Sequence, residues 1–499
     1  MKTRLLRAVL SLLLPLMAST VFAQSSPWTW QQRYGEPGNE VCQQVLPLQD
    51  GGYLLVGTLG LAEPNTARLY LVRTDAQGQQ IWTRTHVIAE TTGLNILPAC
   101  ENSAGQVLLS MGTAQGATSA GLLLLLQPDG TIAWQKRTES YPLAPGGIKI
   151  DLPYSRAVLD AAGNFLLARN QPGSTVLQRL NAAGDEVERI PFLMPAETLP
   201  TGAPAGQALI YDLVPLPTGL FAYVVSAASA RLVEVSAQGV QGRITVLPPL
   251  ISDNDKPNYG VKDFVPLPND EVLLVSSMQL SRVQLHLGTV RWTFSTTNTS
   301  YNLRMNPARA ARLPNGRLAV FGYTMPNSHL IQLTMRLFDE NGQIVPAPAY
   351  PGQVEYSFGT SIYQISAGGL FVNQATGQVV IGGSIQDTPT QQKSFFLWSG
   401  PVGALFPGTV TAVSASQLAQ PAAWPNPLGT DGQLTVSAAF GQGGPLLLYN
   451  TKGQLVRSWP TSATGSGSQQ LPMHDLPAGL YLLSGRSAGV AATVRIVKN

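Results

Sequence analysis

The sequence predicts an all-β protein, and three observations carry that prediction. Charged residues make up only 12% of its 499 residues, while 49 glycines and 38 prolines punctuate the rest, a composition suited to many short strands joined by turns. Every apolar run is soon broken by Gly, Pro or a charge, so none reaches the roughly 20 residues of a membrane-spanning helix. From about Trp28 to Phe406 one four-strand pattern recurs.

The chain opens with Lys2, Arg4 and Arg7, an apolar run from Ala8 to Met17, and Val21-Phe22-Ala23 before Gln24. That is the three-part layout of a cleavable secretion signal, with cleavage expected after Ala23. The three basic residues account for the formal net charge of +3, so residues 24–499 are close to neutral and offer no electrostatic case for nucleic acid or an anionic membrane.

The recurring unit runs apolar strand, Gly-containing turn, second and third strands, another Gly turn, and a fourth strand. Its clearest copy is Val45 to Leu48, turn Asp50-Gly51-Gly52, strand Tyr53 to Gly57, strand Leu69 to Arg73, turn Asp75 to Gly78, and strand Gln79 to Thr85. The first turns fall at Gly51, Gly105, Gly163, Gly219, Asn269, Gly316 and Gly377, a spacing of about 45–60 residues that suits propeller blades or long solenoid repeats. A tryptophan follows the second-turn glycine by four residues in Gly78/Trp82, Gly130/Trp134 and Gly288/Trp292. A bulky ring in one recurrent slot predicts packing between neighbouring sheets. Glu188, Arg243 and Pro346 occupy the slot in other copies. The copies resemble the degenerate β-propellers of secreted bacterial proteins, which implies seven blades over residues 24–406. The last copy, ending Phe395 to Trp398 and Gly403 to Phe406, lacks a tryptophan strand, whereas Trp28 to Tyr34 resembles one. The N-terminal strand is therefore expected to complete the last blade.

A Gly/Pro/Ala/Ser-rich linker, residues 407–423, leads to a second module over 424–499. Here short strands with turns at Lys452-Gly453 and Ala478-Gly479 predict a small Ig-like β-sandwich. Trp424-Pro425-Asn426-Pro427, the Leu446 to Val456 stretch around Gly453, Leu476 to Leu483 containing Gly479 and Tyr481, and a basic ending with Lys498 follow in that order. They resemble the type A sorting domain of the type IX secretion system, with Trp424 where the commoner motif has Tyr. That resemblance implies a translocon and a surface peptidase as partners. It implies passage through the periplasm to release or attachment at the outer-membrane surface.

The chemistry-bearing residues are sparse. His86, His286, His329 and His474 stand far apart, and no His-Glu-x-x-His or Cys-x-x-Cys spacing exists, so no metal site or cofactor is implied. Asp253-Asn254-Asp255 begins like a calcium loop but continues with Pro257 and Asn258, which fits an Asx-turn loop instead. Cys42 lies nine residues before Gly51 and Cys100 five before Gly105. On adjacent inner strands they are offset by about 13 Å, beyond the roughly 7 Å a disulfide spans, so both thiols are expected free.

No catalytic constellation stands out, although Asp151, Asp212, Asp263 and Glu355 are scattered carboxylates from which a glycoside-cleaving pair could be drawn. The reading favours a binding propeller that takes an extracellular glycan, peptide or envelope partner over its alternative, a polysaccharide hydrolase or lyase. The long connections between copies carry the candidate ligand residues Tyr154, Arg156, Tyr211, Tyr259, Lys262, Tyr301 and Arg304, with Tyr suited to amphipathic contact at low entropy cost.

Overall fold

The computed structural model describes residues 28–35, 39–60, 66–115, 118–142, 153–171, 173–194, 207–217, 219–226, 229–236, 241–247, 261–276, 278–295, 305–327, 330–345, 356–361, 366–374, 376–386, 392–406, 423–424, 432–436, 445–450, 454–460, 469–487 and 490–498. The chain divides into two compact units, Met1–Val410 and Thr411–Asn499. The secretion signal over 1–23 lies outside the described residues.

Among the described residues the first unit contains seven antiparallel sheets, each built from consecutive strands except the last, which also takes the N-terminal strand. The first blade pairs Val41–Pro47, Tyr53–Leu59, Thr66–Thr74 and Gln80–Ala89 from inner to outer strand. Its turns are dictated locally. Gly51 sits at φ 89° and Gly78 at φ 74°, a left-handed conformation that a Cβ disfavours. The fifth blade uses Asn269 and Asp270, both at positive φ, for the same turn, as short polar side chains tolerate that region best after glycine. All seven expected first-turn positions have positive φ.

Long apolar runs such as Leu122–Leu126 and Val272–Val275 are buried along their whole length, because each sheet is covered on both faces. Seven apolar clusters join each blade to the next. Leu69 meets Leu109 between the first and second blades, Leu123 meets Phe165, and Leu177 meets Ala222. Tyr223 then meets Phe264, Leu273 meets Phe338, and Phe321 meets Phe396. Phe395 packs back on Tyr70 of the first blade, and the ring is closed. The fold is a seven-bladed β-propeller.

Closure is covalently discontinuous. The last blade takes Ser366–Asn373, Gln378–Gln386 and Lys393–Pro401 from late in the chain, and its outer strand is Trp30–Tyr34. Trp30 pairs with Ser399 and Tyr34 with Phe395. Trp28 adds an edge-to-face contact with Trp398 at 5.4 Å between ring centroids. Residues Gly403–Phe406, expected to continue the last blade, instead fall in and just after a one-turn helix, Val402–Leu405. Its Val402, Leu405 and following Phe406 plug the core between the last two blades, so the apolar pattern there reports burial and not a strand.

The tryptophan slot does what the repeat requires. Trp82 lies on Gly130, Trp134 on Gly184 and Trp292 on Gly342, each so close that a Cβ on the glycine would stand within 2.7 Å of the ring. Each indole N–H donates to a carbonyl of that next-blade turn, Pro128, Ala182 and Glu340, at 3.0 Å. Trp30 of the N-terminal strand occupies the same slot against Gly78, and Tyr34 Oη donates to the Gly78 carbonyl at 2.6 Å. Where Trp is missing, Arg243 reaches Asp270 of the next blade at 3.4 Å, while Glu188 pairs with Arg179 of its own blade.

The second unit is a sandwich of a three-stranded sheet (Ala423–Trp424, Gln433–Val436, Gln469–Pro472) and a four-stranded one (Leu455–Trp459, Leu446–Asn450, Gly479–Ser487, Val490–Lys498). Leu434, Leu448, Leu471, Leu483 and Ile496 form its core. Tyr481 is buried there and donates its hydroxyl to the Pro477 carbonyl at 2.8 Å.

Both cysteines are free thiols. Cys42 packs between the last and first blades and Cys100 between the second and third, so they face opposite neighbours. Burial pushes the Cys42 thiol up to about 12 and the Cys100 thiol up to about 11, which suppresses thiolate at neutral pH. An aromatic thiol reagent should therefore label neither in native protein at pH 8 and both after unfolding in guanidinium. Full titration of either in the native state would contradict the packing.

Removing residues 24–35 should lower the melting temperature by about 10 °C or more. It deletes at least one Trp-sized packing unit, worth about 3–5 kcal/mol at about 2–4 °C per kcal/mol. An unchanged calorimetric transition would show that the last blade closes without its N-terminal strand.

Candidate functional site

The innermost strand of each blade presents a sheet edge to the central axis, and such an edge carries unpaired backbone groups. The propeller treats it in one repeated way. The register of the inner strand shifts between Cys42 and Gln44, Ile210 and Asp212, Val261 and Asp263, Pro307 and Arg309, and Ala367 and Gly369. A β-bulge therefore falls at the same level of five blades, where it re-aims the neighbouring side chain.

Side chains next to these bulges bridge to the adjoining blade. Gln43 Oε1 accepts from Ile96 N and Gln44 Oε1 from Ala99 N, both at 3.0 Å. Asn170 donates to the Ile210 carbonyl at 2.8 Å and accepts from its N–H at 3.1 Å. Asp263 Oδ2 accepts from Ala310 N at 3.0 Å, and Arg309 donates to the Gly368 and Lys262 carbonyls at 3.2 Å. Arg156 of the third blade pairs with Asp212 of the fourth at 2.9 Å.

The result is a polar girdle with a charged sector made by Arg156, Asp212, Lys262, Asp263 and Arg309. Burial raises the Asp212 carboxyl above its ordinary range more than Arg156 lowers it, and the charge of Asp263 adds to the rise. Asp212 Oδ1 and Arg156 Nε are buried without hydrogen-bond partners among the described residues. Lys262 is solvent-exposed yet hemmed in by protein, which together with Arg309 holds its ammonium below the usual lysine range. Among the described residues no cluster of three or more His, Cys, Asp or Glu could hold a metal ion.

Of the expected ligand residues, Arg156, Tyr211 and Lys262 belong to this level of the inner strands, Tyr211 and Lys262 at the bulges themselves. Tyr211 is half-buried, edge-on to Tyr223 at 6.4 Å. Tyr154 is buried against Gly121 of the preceding blade and packs the strand entrance, out of reach of a ligand. Tyr259, Tyr301 and Arg304 lie outside the described residues, as do Asp151, Glu355 and the 253–255 loop. Asp212 and Asp263 were visible in the sequence as carboxylates, but their approach across neighbouring blades was not, because it depends on the blade register. In the sandwich, Trp424 pairs with Thr435 and Gly479 with Lys498, whereas Pro425, Asn426, Pro427 and Gly453 lie outside the described residues.

A second concavity, about 920 Å³ in volume, sits at the end of the inner strands where the short turns gather, with Pro47, Pro266, Arg312 and Phe371 in its wall.

These features define the class: a closed, seven-bladed propeller followed by a β-sandwich. The sandwich is a type IX secretion system sorting domain, residues 422–499 matching the family described as "Secretion system C-terminal sorting domain". None of the curated proteins matches the chain. Among solved structures, it is similar to PorZ, a surface component of the type IX secretion system of Porphyromonas gingivalis (11% identity, 90% of this chain and 69% of that one, TM-score 0.35). It is also similar to the β-propeller domain of the trilobed protease of Pyrococcus furiosus (9%, 76% and 100%, TM-score 0.37). A putative 6-phosphogluconolactonase of Bacteroides fragilis is a third (11%, 70% and 94%, TM-score 0.40). At such TM-scores the propeller rests on its own strand pairing.

The Arg156–Asp212 pair gives a double-mutant test. Arg156→Met or Asp212→Leu alone should cost about 3 kcal/mol by stranding a buried charge, and the double variant less than either. Because Asp212 binds its proton more tightly folded than unfolded, its contribution to stability is fully present below the ordinary carboxylate value and is lost as pH rises through its raised native value. Asp212→Asn should flatten that part of the stability–pH profile measured by urea unfolding. An unaltered profile would place Asp212 in water.

Proposed function

We propose that this protein is an exported propeller that binds an extracellular glycan, peptide or envelope partner, delivered by its sorting domain to the cell surface or the medium. The sorting domain supports the address: a module of this kind implies the type IX machinery as partner. The observation that supports binding is the girdle itself. It sets an accessible Lys262 and a half-buried Tyr211 on bulges of adjacent blades, while the backbone edges beside them are already bonded. Rigid strands carrying an aromatic and a cation at one mouth are suited to recognition. Tyr211→Ala and Lys262→Ala should each weaken, by about tenfold or more, capture of whatever a glycan array or envelope-fraction pull-down identifies. Retention of full binding by both variants, with melting curves like wild type, would move the site elsewhere.

A second reading has one observation in its favour. Asp212 and Asp263 are carboxylates of adjacent inner strands, and the charge of Asp263 adds to the burial that holds Asp212 towards its protonated form. A polysaccharide hydrolase uses two neighbouring carboxyl groups as acid and base. Release of reducing ends from a polysaccharide panel, abolished by Asp263→Asn, would establish it; no release by wild type would remove it.

The signal-like opening of the sequence and the sorting domain support export by way of the periplasm. Deleting residues 425–499 should leave the protein in the periplasm with its signal peptide removed, as read by fractionation and N-terminal sequencing. Normal secretion of the truncated chain would refute this.

A further inference from the structure

The mouth of the channel opposite the long connections has different chemistry from the girdle. Its cavity of about 920 Å³ is walled by the first, fifth, sixth and seventh blades and by the N-terminal strand, a size typical of small-ligand sites. Trp30, Tyr53 and Phe371 contribute ring surface, Tyr53 and Phe371 lying tilted at 6.5 Å between centroids. Gln374 and Gln378 contribute amides, and Arg312 is the only ionisable side chain with a permanent charge among the described lining residues. No carboxylate is among those described lining residues.

We propose that this turn-side mouth is a binding site for a saccharide carrying a carboxylate. The flat apolar faces of a sugar ring suit the three aromatic rings, its hydroxyls suit the amides, and a carboxylate suits the guanidinium fork of Arg312. The Arg312 backbone carbonyl accepts from Gln374 Nε2 at 2.6 Å, and its Nη2 stands 3.9 Å from Glu340, a loose contact that an incoming carboxylate can replace. An extended peptide fits this mouth less well. Strand addition needs backbone donors along the edge, and Pro47 and Pro266 of the wall have none. The proposal rests on the reading of the protein as a binder, and it assigns that reading a second place and a ligand class.

The test uses the mature full-length chain and isothermal titration with two hexasaccharides, an oligogalacturonate and cellohexaose. Wild type should bind the oligogalacturonate at least tenfold more tightly than cellohexaose. Arg312→Gln should abolish that preference and Gln374→Ala should weaken the oligogalacturonate several-fold. Melting curves confirm that each variant is folded, and exposed Gln374 keeps the test valid should Arg312→Gln fail to fold. Equal affinity for the two sugars, or indifference to both turn-side variants, overturns the site. Failure to bind either sugar, with a partner still captured through Tyr211 and Lys262, overturns it while leaving the binding reading intact.

Discussion

Everything in the propeller follows from one constraint: a four-stranded sheet with two apolar faces has nowhere to hide either of them except against its neighbours. Each blade here is apolar on both sides, as the wholly buried runs Leu122–Leu126 and Val272–Val275 show, and roughly 25 cal/mol per Å² of buried apolar surface drives such faces together. A linear stack would leave two faces in water at its ends. Closing the stack into a ring removes both, which is why the last blade accepts a strand from the other end of the chain and why Phe395 must reach Tyr70. The tryptophans serve the same constraint at the wider, outer radius, where the wedge between blades needs a large side chain and the glycine opposite leaves room for it.

The sequence made the periodic parts of this plan legible because they are written in residue type. Positive φ selects glycine or asparagine, so Gly51, Gly105 and Asn269 mark turns one blade apart. The outer wedge selects tryptophan, so Trp82, Trp134 and Trp292 mark interfaces, and Trp30 marks the closing strand. What stayed hidden is written in backbone geometry. The bulge level carries Tyr211, Lys262, Ala308 and Gly368 in different blades, residues with no property in common, since the bulge is defined by pairing and not by side chain. Partners such as Arg156 and Asp212, one blade apart in sequence, become neighbours only when the register is known. Position in a connection did not distinguish Tyr154 from Tyr211 either: one is sealed under the preceding blade and the other stays half-open, a difference made by Gly121 across the interface.

The two mouths of the channel divide the chemistry. At the long-connection end the bulges direct charged and amide groups into inter-blade bonds, so the wall there is polar and largely satisfied. At the turn end the inner strands of the first, fourth and fifth blades carry Pro47, Pro215 and Pro266 at or one residue before their last position, where a backbone donor is lacking, and the wall passes to rings and aliphatic side chains. Bonding donors at one end and omitting them at the other reduces the open strand edge that these described inner strands offer to another chain.

The pairing of Trp30–Tyr34 with Lys393–Pro401 also makes the fold a clock on its own biosynthesis. The strand made first waits for the one made last among the propeller strands. Six blades can collapse as they emerge, but the seventh interface and the outer seat of Gly78 remain open until the whole ring has left the ribosome. Until then the chain carries an unlatched clasp, and the cooperativity of the full ring is gained only when its two ends meet.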